Sequence, residues 1–166
     1  MIMRRMAFVG LAVLAGGCNS GPPMEVKQFW LPAASPYGLG GSYAWVRAQS
    51  EGGYSPDYEP LLHEHVDRVL GAKGYLLADA KTADFSVRTY FGKRTHSPET
   101  GHGSFDRVKV VIEALQPGTG TVLWRGLLQT RLAYDLPPIK RRQRLKIGVE
   151  KILKDLPPPL ESSGDD

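Results

Sequence analysis

Alternating apolar and polar positions predict several β-strands in this chain. Tyr43 and Trp45 lie on one side of a short strand, and Phe85, Val87 and Phe91 lie on one side of a longer one. Residues 116–120 (QPGTG) have the composition of a hairpin connection, whereas residues 92–104 are expected to form a loop. The predicted strands are 24–31, at an edge, then 42–47, 84–91, 107–115 and 121–132.

Two segments instead repeat apolar residues at helical spacing. In the first, Pro60 suits the first turn, Asp57 suits the N-cap, and Gly74 suits the stop after the last turn. Its apolar face consists of Leu62, Val66, Val69 and Leu70. The second helix ends before three prolines, 157–159, and its apolar stripe consists of Leu145, Val149, Ile152, Leu153 and Leu156.

The order β–α–β–β–β–α, with the edge strand in front, predicts an α+β two-layer sandwich. We expect a mostly antiparallel sheet of four to five strands, with both helices on one face. The other face is then open to water or to a partner. The residues expected there are Arg88, Lys109, Glu113, Arg125, Gln129 and Arg131, with Val111 and Leu115 between them.

The N-terminus has the pattern of an export signal. Arg4 and Arg5 precede an apolar run, and small residues lead to Cys18, the only cysteine of the chain. This stretch resembles the lipobox of bacterial lipoproteins, which predicts cleavage before Cys18 and its modification by a diacylglycerol and an N-acyl chain. An ordinary signal peptide followed by an unrelated cysteine is the alternative. Arg4-Arg5 leaves both the general secretory and the twin-arginine routes open.

These features divide the chain into four parts. Residues 1–17 form the signal peptide, 18–23 the lipidated tether, 24–159 the folded domain and 160–166 an acidic, disordered tail. Cleavage would leave 19 basic and 17 acidic residues of the full chain's 21 and 17, so the net charge would fall from +4 to +2. A charge this small argues against a nucleic-acid partner.

Short segments in a fixed order resemble one known family. They are 42–45 (SYAW), 66–67 (VD), 71–75 (GAKGY), 83–87 (ADFSV), 119–120 (TG), 122–126 (VLWRG), 149–153 (VEKIL) and 156–158 (LPP). Over about residues 24–159 the chain resembles domain of unknown function 4136 (DUF4136), a family of bacterial lipoproteins. Gln116 departs from the Asp common at that turn. The resemblance implies an envelope lipoprotein and no established chemistry.

Histidines and carboxylates are the candidates for chemistry. His63 and His65 are two residues apart, so a helix points them to different sides, and we expect a solvated face rather than a metal site. His96 and His102 are expected to be ordinary loop residues. Asp67 is expected to be exposed and to pair with Lys73 or Arg68. Asp84 fits either a strand-end hydrogen bond or a cation or partner site.

Other candidates concern binding. Trp124 is expected under the helices, Arg125 on the open sheet face, and Gly126 at a bulge or close approach. The loop tyrosines Tyr37, Tyr54 and Tyr58 fit either an aromatic rim or ordinary packing. A basic run opens the last helix, where it opposes the helix dipole. Its residues Arg141, Arg142 and Arg144 fit either a solvated face or a contact with anionic lipid.

The sequence therefore predicts a non-enzymatic lipoprotein. Asn19, in place of an Asp, favours the periplasmic face of the outer membrane over retention at the inner membrane. The expected role is interaction with an envelope protein, or envelope assembly. The alternative is a carrier or sensor of a lipid or small apolar ligand, which requires a cavity of some hundreds of Å³. No metal and no cofactor beyond the covalent lipid is expected.

Overall fold

Six strands and two helices form the part of the domain that the structure describes. The computed structural model describes residues 22–31, 39–47, 58–96, 105–131 and 136–159. The strands are β1 Met24–Trp30, β2 Ser42–Trp45, β3 Leu76–Leu77, β4 Phe85–His96, β5 Phe105–Leu115 and β6 Val122–Arg131. The helices are α1 Glu59–Ala72 and α2 Pro138–Leu153. In these ranges, neither helix has the length and apolar character needed to span a bilayer.

The sheet has the order β1-β6-β5-β4-β2-β3. The pairs β1–β6, β6–β5 and β5–β4 are antiparallel, whereas β2 is parallel to both β4 and β3. The predicted α+β class is confirmed, but the sheet is mixed and has one strand more than expected. The parallel pairing arises because α1 carries the chain from β2 back to the same end of the sheet before β4. At two residues, β3 is too short to show an alternating pattern.

The β4–β5 hairpin is longer than the sequence predicted. The expected loop from Gly92 onward continues as strand to His96, and Gly92 pairs with Lys109. Beyond that pair, Lys93 Nζ lies 2.7 Å from Asp106 Oδ2, and Thr95 Oγ1 donates to Asp106 Oδ1 at 2.7 Å. These polar contacts stabilise a ladder whose residues lack an apolar alternation.

Both helices pack on one face of the sheet, as predicted. The apolar stripe predicted for α2 is buried throughout, and in α1 Leu62, Val66 and Leu70 are buried while Val69 is partly exposed. Trp124 lies fully buried beneath the helices. The core therefore lies between the helix layer and the sheet, and it includes Leu156, just beyond α2.

The ends of α1 differ in how well the sequence marks them. Gly74 has φ +98°, its N–H donates to Gly71 O, and the Tyr75 N–H donates to Leu70 O. This is the Schellman arrangement that a C′ glycine permits, so the predicted stop is confirmed. At the other end the N-cap residue is Tyr58, with no side-chain cap. Asp57, the predicted cap, lies outside the described residues.

Helix α2 approaches the sheet very closely. A Cβ at Gly126 in β6 would lie 2.3 Å from Ile152 Cγ2 and 2.6 Å from an atom of the Trp124 ring. On the helix side, a Cβ at Gly148 would lie 2.9 Å from Leu128 Cδ1. The predicted close approach at Gly126 is confirmed, while the irregularity in the β5–β6 ladder lies at Ala114 and Leu115 instead.

We therefore expect Gly126→Ala to destabilise the fold by about 1–3 kcal/mol, because the added methyl overlaps core atoms. Gly71→Ala is the matched control, since a Cβ there meets nothing within 4 Å. In this exposed helical position it should stabilise by about 0.5–1 kcal/mol. Urea denaturation of both variants measures the difference. Equal effects of the two substitutions would contradict the close contact.

Candidate interaction surfaces

A row of charged residues crosses the sheet face opposite the helices. The register aligns Arg88, Glu113 and Arg125 on adjacent strands. Arg88 donates to Glu113 Oε2 from Nε at 3.0 Å and from Nη2 at 2.7 Å. Arg125 Nε donates to Glu113 Oε1 at 2.7 Å. Both carboxylate oxygens thus bind guanidinium groups, which are the donors best matched to a carboxylate.

This row changes the expectation of a simply open face. The Glu113 side chain is only 3% exposed, and Val111 and Leu115 on the same face are also buried. Arg88 and Arg125 lie over the strands and neutralise Glu113, so they are internal ion-pair partners as well as surface cations. Of the predicted basic surface, Lys109, Arg125 and Arg131 are exposed, and Arg125 is paired with Glu113. The remaining cations on this face are therefore spread thinly.

A second polar junction joins β2 to α1. Asp67 Oδ1 accepts hydrogen bonds from Tyr43 Oη at 2.6 Å and Trp45 Nε1 at 2.9 Å. The Trp45 ring stacks on His63, with centroids 3.7 Å apart and planes 17° apart. Burial, followed by the bond to Asp67, raises the pKa of Tyr43 well above its usual value. This junction fixes the short β2 strand against the helix.

The predicted partners of Asp67 were wrong. Lys73 Nζ donates to Leu156 O at 2.6 Å, and Arg68 lies 3.4 Å from Glu150. Both cations therefore face the C-terminal part of the chain, whereas Asp67 faces β2. The clue in the sequence was the pair of polar-tipped aromatics on one side of β2, which need acceptors when they are half-buried.

Asp84 adopts the strand-end role, one of its two predicted alternatives. Its Oδ2 accepts from the N–H groups of Gly41 and Ser42, at 2.9 and 2.8 Å, and from Ser42 Oγ at 2.8 Å. The hydrogen bond from the Ser42 side chain is the main reason that the pKa of Asp84 is lowered. Its contacts hold the start of β2 beside β4.

The histidines that the structure describes do not form a metal-binding cluster. His65 is buried, which contradicts the expected solvated face, and its Nδ1 has no partner among the described residues. Burial lowers the pKa of His63. Burial also lowers the pKa of His65, and the positive charge of the nearby Arg68 lowers it further by a smaller amount. His96 ends β4, not a loop, and His102 lies outside the described residues. Within the described ranges, no group of three His, Cys, Asp or Glu side chains has a metal-binding arrangement.

The arginines in the basic run of α2 point in two different directions. Arg144 Nη2 donates to Pro22 O, and it lies 3.4 Å from Thr130 Oγ1. Burial lowers the pKa of Arg144. Arg141 is partly buried, and its Nε has no hydrogen-bond partner among the described residues. Arg142 is exposed. Two of the three predicted surface arginines thus turn towards the domain, because their stems cover apolar residues there.

A small cavity lies beneath Arg141 and Arg144. Its volume is about 60 Å³, and Tyr58, Phe91 and Leu145 contribute to its apolar wall. Tyr58 stacks on Phe91 with 4.4 Å between centroids, which is the ordinary packing alternative for this tyrosine. Tyr37 and Tyr54 lie outside the described residues. The cavity is well below the volume that encloses a small-molecule ligand.

Among the described residues, five large apolar side chains are exposed, and none of them was expected to be exposed from the sequence pattern. Phe29 and Trp30, which form the β1 edge patch, are 49% and 44% exposed, and Leu76 and Leu77, the β3 edge patch, are 69% and 61% exposed. Ile139 in the first turn of α2 is 61% exposed. The sequence did contain a clue to these exposed residues, since each is apolar but belongs to none of the apolar stripes predicted for the core.

Most of the folded chain matches the model of a known protein family. The model of the family described as Domain of unknown function (DUF4136) matches residues 38–158. The chain belongs to the DUF4136 family. The match includes Asp67, Asp84 and Glu113 with their partners, and β1 precedes it. Among curated proteins, none matches the chain.

Solved structures share the fold of this DUF4136 domain. A PelC dodecamer from Paraburkholderia phytofirmans has 18% identity and a TM-score of 0.52, covering 84% of this chain and 100% of that one. A variant of it gives 15% and 0.51, with the same coverage. A PDZ domain protein from Parabacteroides distasonis gives 12% and 0.50, covering 81% of this chain and 37% of that one. At these identities the likeness concerns the fold.

We expect Asp67→Ala to lower the free energy of unfolding by about 1–3 kcal/mol, because Tyr43 and Trp45 lose their shared acceptor. Glu64→Ala, on the exposed side of the same helix, should change it by about 0.5 kcal/mol or less. Chemical denaturation measures both. In a Tyr43→Phe background the cost of Asp67→Ala should shrink, and an unchanged cost would contradict the junction.

Stability should also fall as the pH decreases through about 6.5. The pKa values of His63 and His65 are lowered from 6.5 in the folded chain, so near that pH the unfolded chain binds more protons. His65→Leu should reduce this loss. Denaturation at about pH 7.5 and about pH 5.5 checks it, and an unaltered pH dependence in the variant would count against a neutral, buried His65.

Proposed function

We propose that this chain is a lipoprotein, anchored through acylated Cys18 to the periplasmic face of the outer membrane. It acts as a non-enzymatic subunit of an envelope assembly in which copies associate edge to edge. The observation that carries the assembly role is the pair of apolar patches at opposite edges of one sheet. The anchor rests on the lipobox-like sequence before Cys18, and the location rests on Asn19 directly after it.

Exposed sheet edges favour association. A strand at an edge presents unpaired backbone groups, and apolar side chains there add a further drive to pair with another chain. The β1 edge patch and the β3 edge patch combine both properties. Because the two patches differ, copies would join head to tail, and such contacts produce either a closed ring or an open filament.

The positions of the patches favour a ring. The register runs from Trp30 through Trp124, Ala114 and Val87 to Trp45, straight across five strands. Leu77 pairs with Tyr43, two residues before Trp45. Both patches thus lie near the same height along the strands, so successive copies would be displaced little along the strand direction. The PelC dodecamer, which shares the fold, supports assembly into a multimer.

The alternative role as an apolar-ligand carrier has less support. The apolar cavity of about 60 Å³ is smaller than a lipid chain requires. A wider cleft of about 410 Å³ lies beside β1 and α2, but Gln28, Lys151 and Asp155 contribute to its lining, which suits an apolar ligand poorly. An enzyme would need free carboxylates for catalysis or metal binding. The carboxylates of Asp67, Asp84 and Glu113 instead accept hydrogen bonds that hold strands and helices together. These contacts favour a structural role without a metal or cofactor, and the small net charge disfavours nucleic acid.

Native mass spectrometry of the acylated protein, extracted gently from envelopes, tests this proposal. The wild type should be a multimer whose subunit mass includes the acyl chains. Phe29→Glu/Trp30→Glu and Leu76→Glu/Leu77→Glu should each be monomeric. Mixing the two variants should produce a heterodimer, because each variant keeps the edge patch that the other has lost.

Ile139→Glu is the matched control, since Ile139 is similarly exposed but lies outside both edges. It should leave the multimer intact. A monomeric wild type, or two edge variants that fail to combine, would contradict head-to-tail assembly. A wild-type subunit whose Cys18 carries no lipid would contradict the anchor.

A further inference from the structure

The start of the domain is fixed at one end of the sheet. Arg144 in α2 donates to Pro22 O, and Thr130 Oγ1 donates to Pro23 O at 3.0 Å. Met24 then pairs with Thr130 at the end of β6. Two consecutive carbonyls of the tether are thus held beside the first turns of α2. The point where the chain enters the fold is therefore defined rather than free to swing.

The short tether determines which end of the domain faces the membrane. Pro22 lies four positions after Cys18, with three residues between them, so even a fully extended chain spans at most about 14 Å. Acyl chains on Cys18 lie in the hydrocarbon layer, and the headgroup region above it is roughly 5–7 Å thick. The end of the domain that holds Pro22 therefore lies within reach of the headgroups.

The surface at this end combines basic and apolar side chains. Ile139, Lys140 and Arg142 are exposed in the first turns of α2, and Arg131 is exposed where β6 ends. No acidic residue lies in the first turn of α2. Cations there oppose the helix dipole, which disfavours this arrangement in isolation. An anionic surface outside the domain would compensate, and Ile139 would bury its side chain at the same boundary.

We propose that Arg131, Ile139, Lys140 and Arg142 form a membrane-end surface, which docks on anionic phospholipid headgroups of the leaflet that holds the Cys18 anchor. This inference rests on the lipid anchor of the proposed function and adds the orientation of the domain. Arg144 is not part of the membrane-end surface, because it binds the carbonyl of Pro22. The opposite end of the sheet, where Lys81 precedes β4, then points away from the bilayer.

Site-specific fluorescence on the acylated protein in vesicles tests the orientation. Gln143→Cys places a reporter one turn after Ile139 on the same face of α2. Lys81→Cys, exposed at the opposite end, is the matched control. Acylated Cys18 has no thiol, so an environment-sensitive dye labels the introduced cysteine alone. Vesicles contain phosphatidylcholine only, or phosphatidylcholine with a minority of phosphatidylglycerol.

With phosphatidylglycerol present, the dye at position 143 should shift to the blue and be quenched by headgroup-attached quenchers, and the dye at 81 should not. Lys140→Glu/Arg142→Glu should lower the ratio of docked to undocked protein by roughly tenfold or more. Its melting temperature should stay unchanged, because both side chains are exposed.

Equal signals at positions 143 and 81 would overturn the orientation. A signal at 143 that is the same in both kinds of vesicle would overturn the role of anionic headgroups. Flotation separates these outcomes from failure of the anchor. Protein that does not float with vesicles lacks the lipid attachment, and this result would overturn the proposed function together with the docking that depends on it.

Discussion

The close contact between α2 and β6 is the constraint on which the rest of the arrangement depends. Gly126 and Gly148 lack the side chains that would hold the helix away from the sheet. With the helix seated this deeply, Ile152 and Trp124 fill the core, and Arg144 reaches the carbonyl of Pro22. The same contact therefore packs the domain and positions the tether. A helix displaced outward by a methyl group would loosen both.

Carboxylates in this domain join elements. Asp67 connects β2 to α1, Asp84 holds the start of β2, and Glu113 links β4 to β6 through two arginines. Removing any one leaves buried or half-buried donors without an acceptor, which costs more than the hydrogen bond contributes. The segments around positions 42–45 and 66–67, and the segment around 83–87, carry the family resemblance, and the side chains of Asp67 and Asp84 within them hold the fold together.

Elements with a strong period could be predicted from the sequence, and contacts between distant elements could not. The α2 stripe and the Gly74 stop follow directly from local pattern and backbone chemistry. The parallel placement of β2 and the burial of His65 depend on how α1 crosses the sheet, which no local window contains. The candidate surface was partly predicted. Arg131 and Arg142, which the sequence proposed from their charge, are exposed, whereas Arg144 donates to the carbonyl of Pro22, and charge alone does not show which way a side chain turns.

The two proposed contacts use different heights of the same sheet, so one does not exclude the other. Strand β1 starts with Met24 at the tether end and finishes with Trp30 in the apolar edge patch. Six residues of extended strand span about 20 Å, which places the edge contacts well above the headgroups. In each copy the strands would run upward from the bilayer surface. The two sheet edges of that copy would then face the neighbouring copies. Anchoring every copy in this orientation leaves mainly lateral diffusion in the bilayer and rotation about the membrane normal, and this restriction lowers the entropic cost of closing a ring.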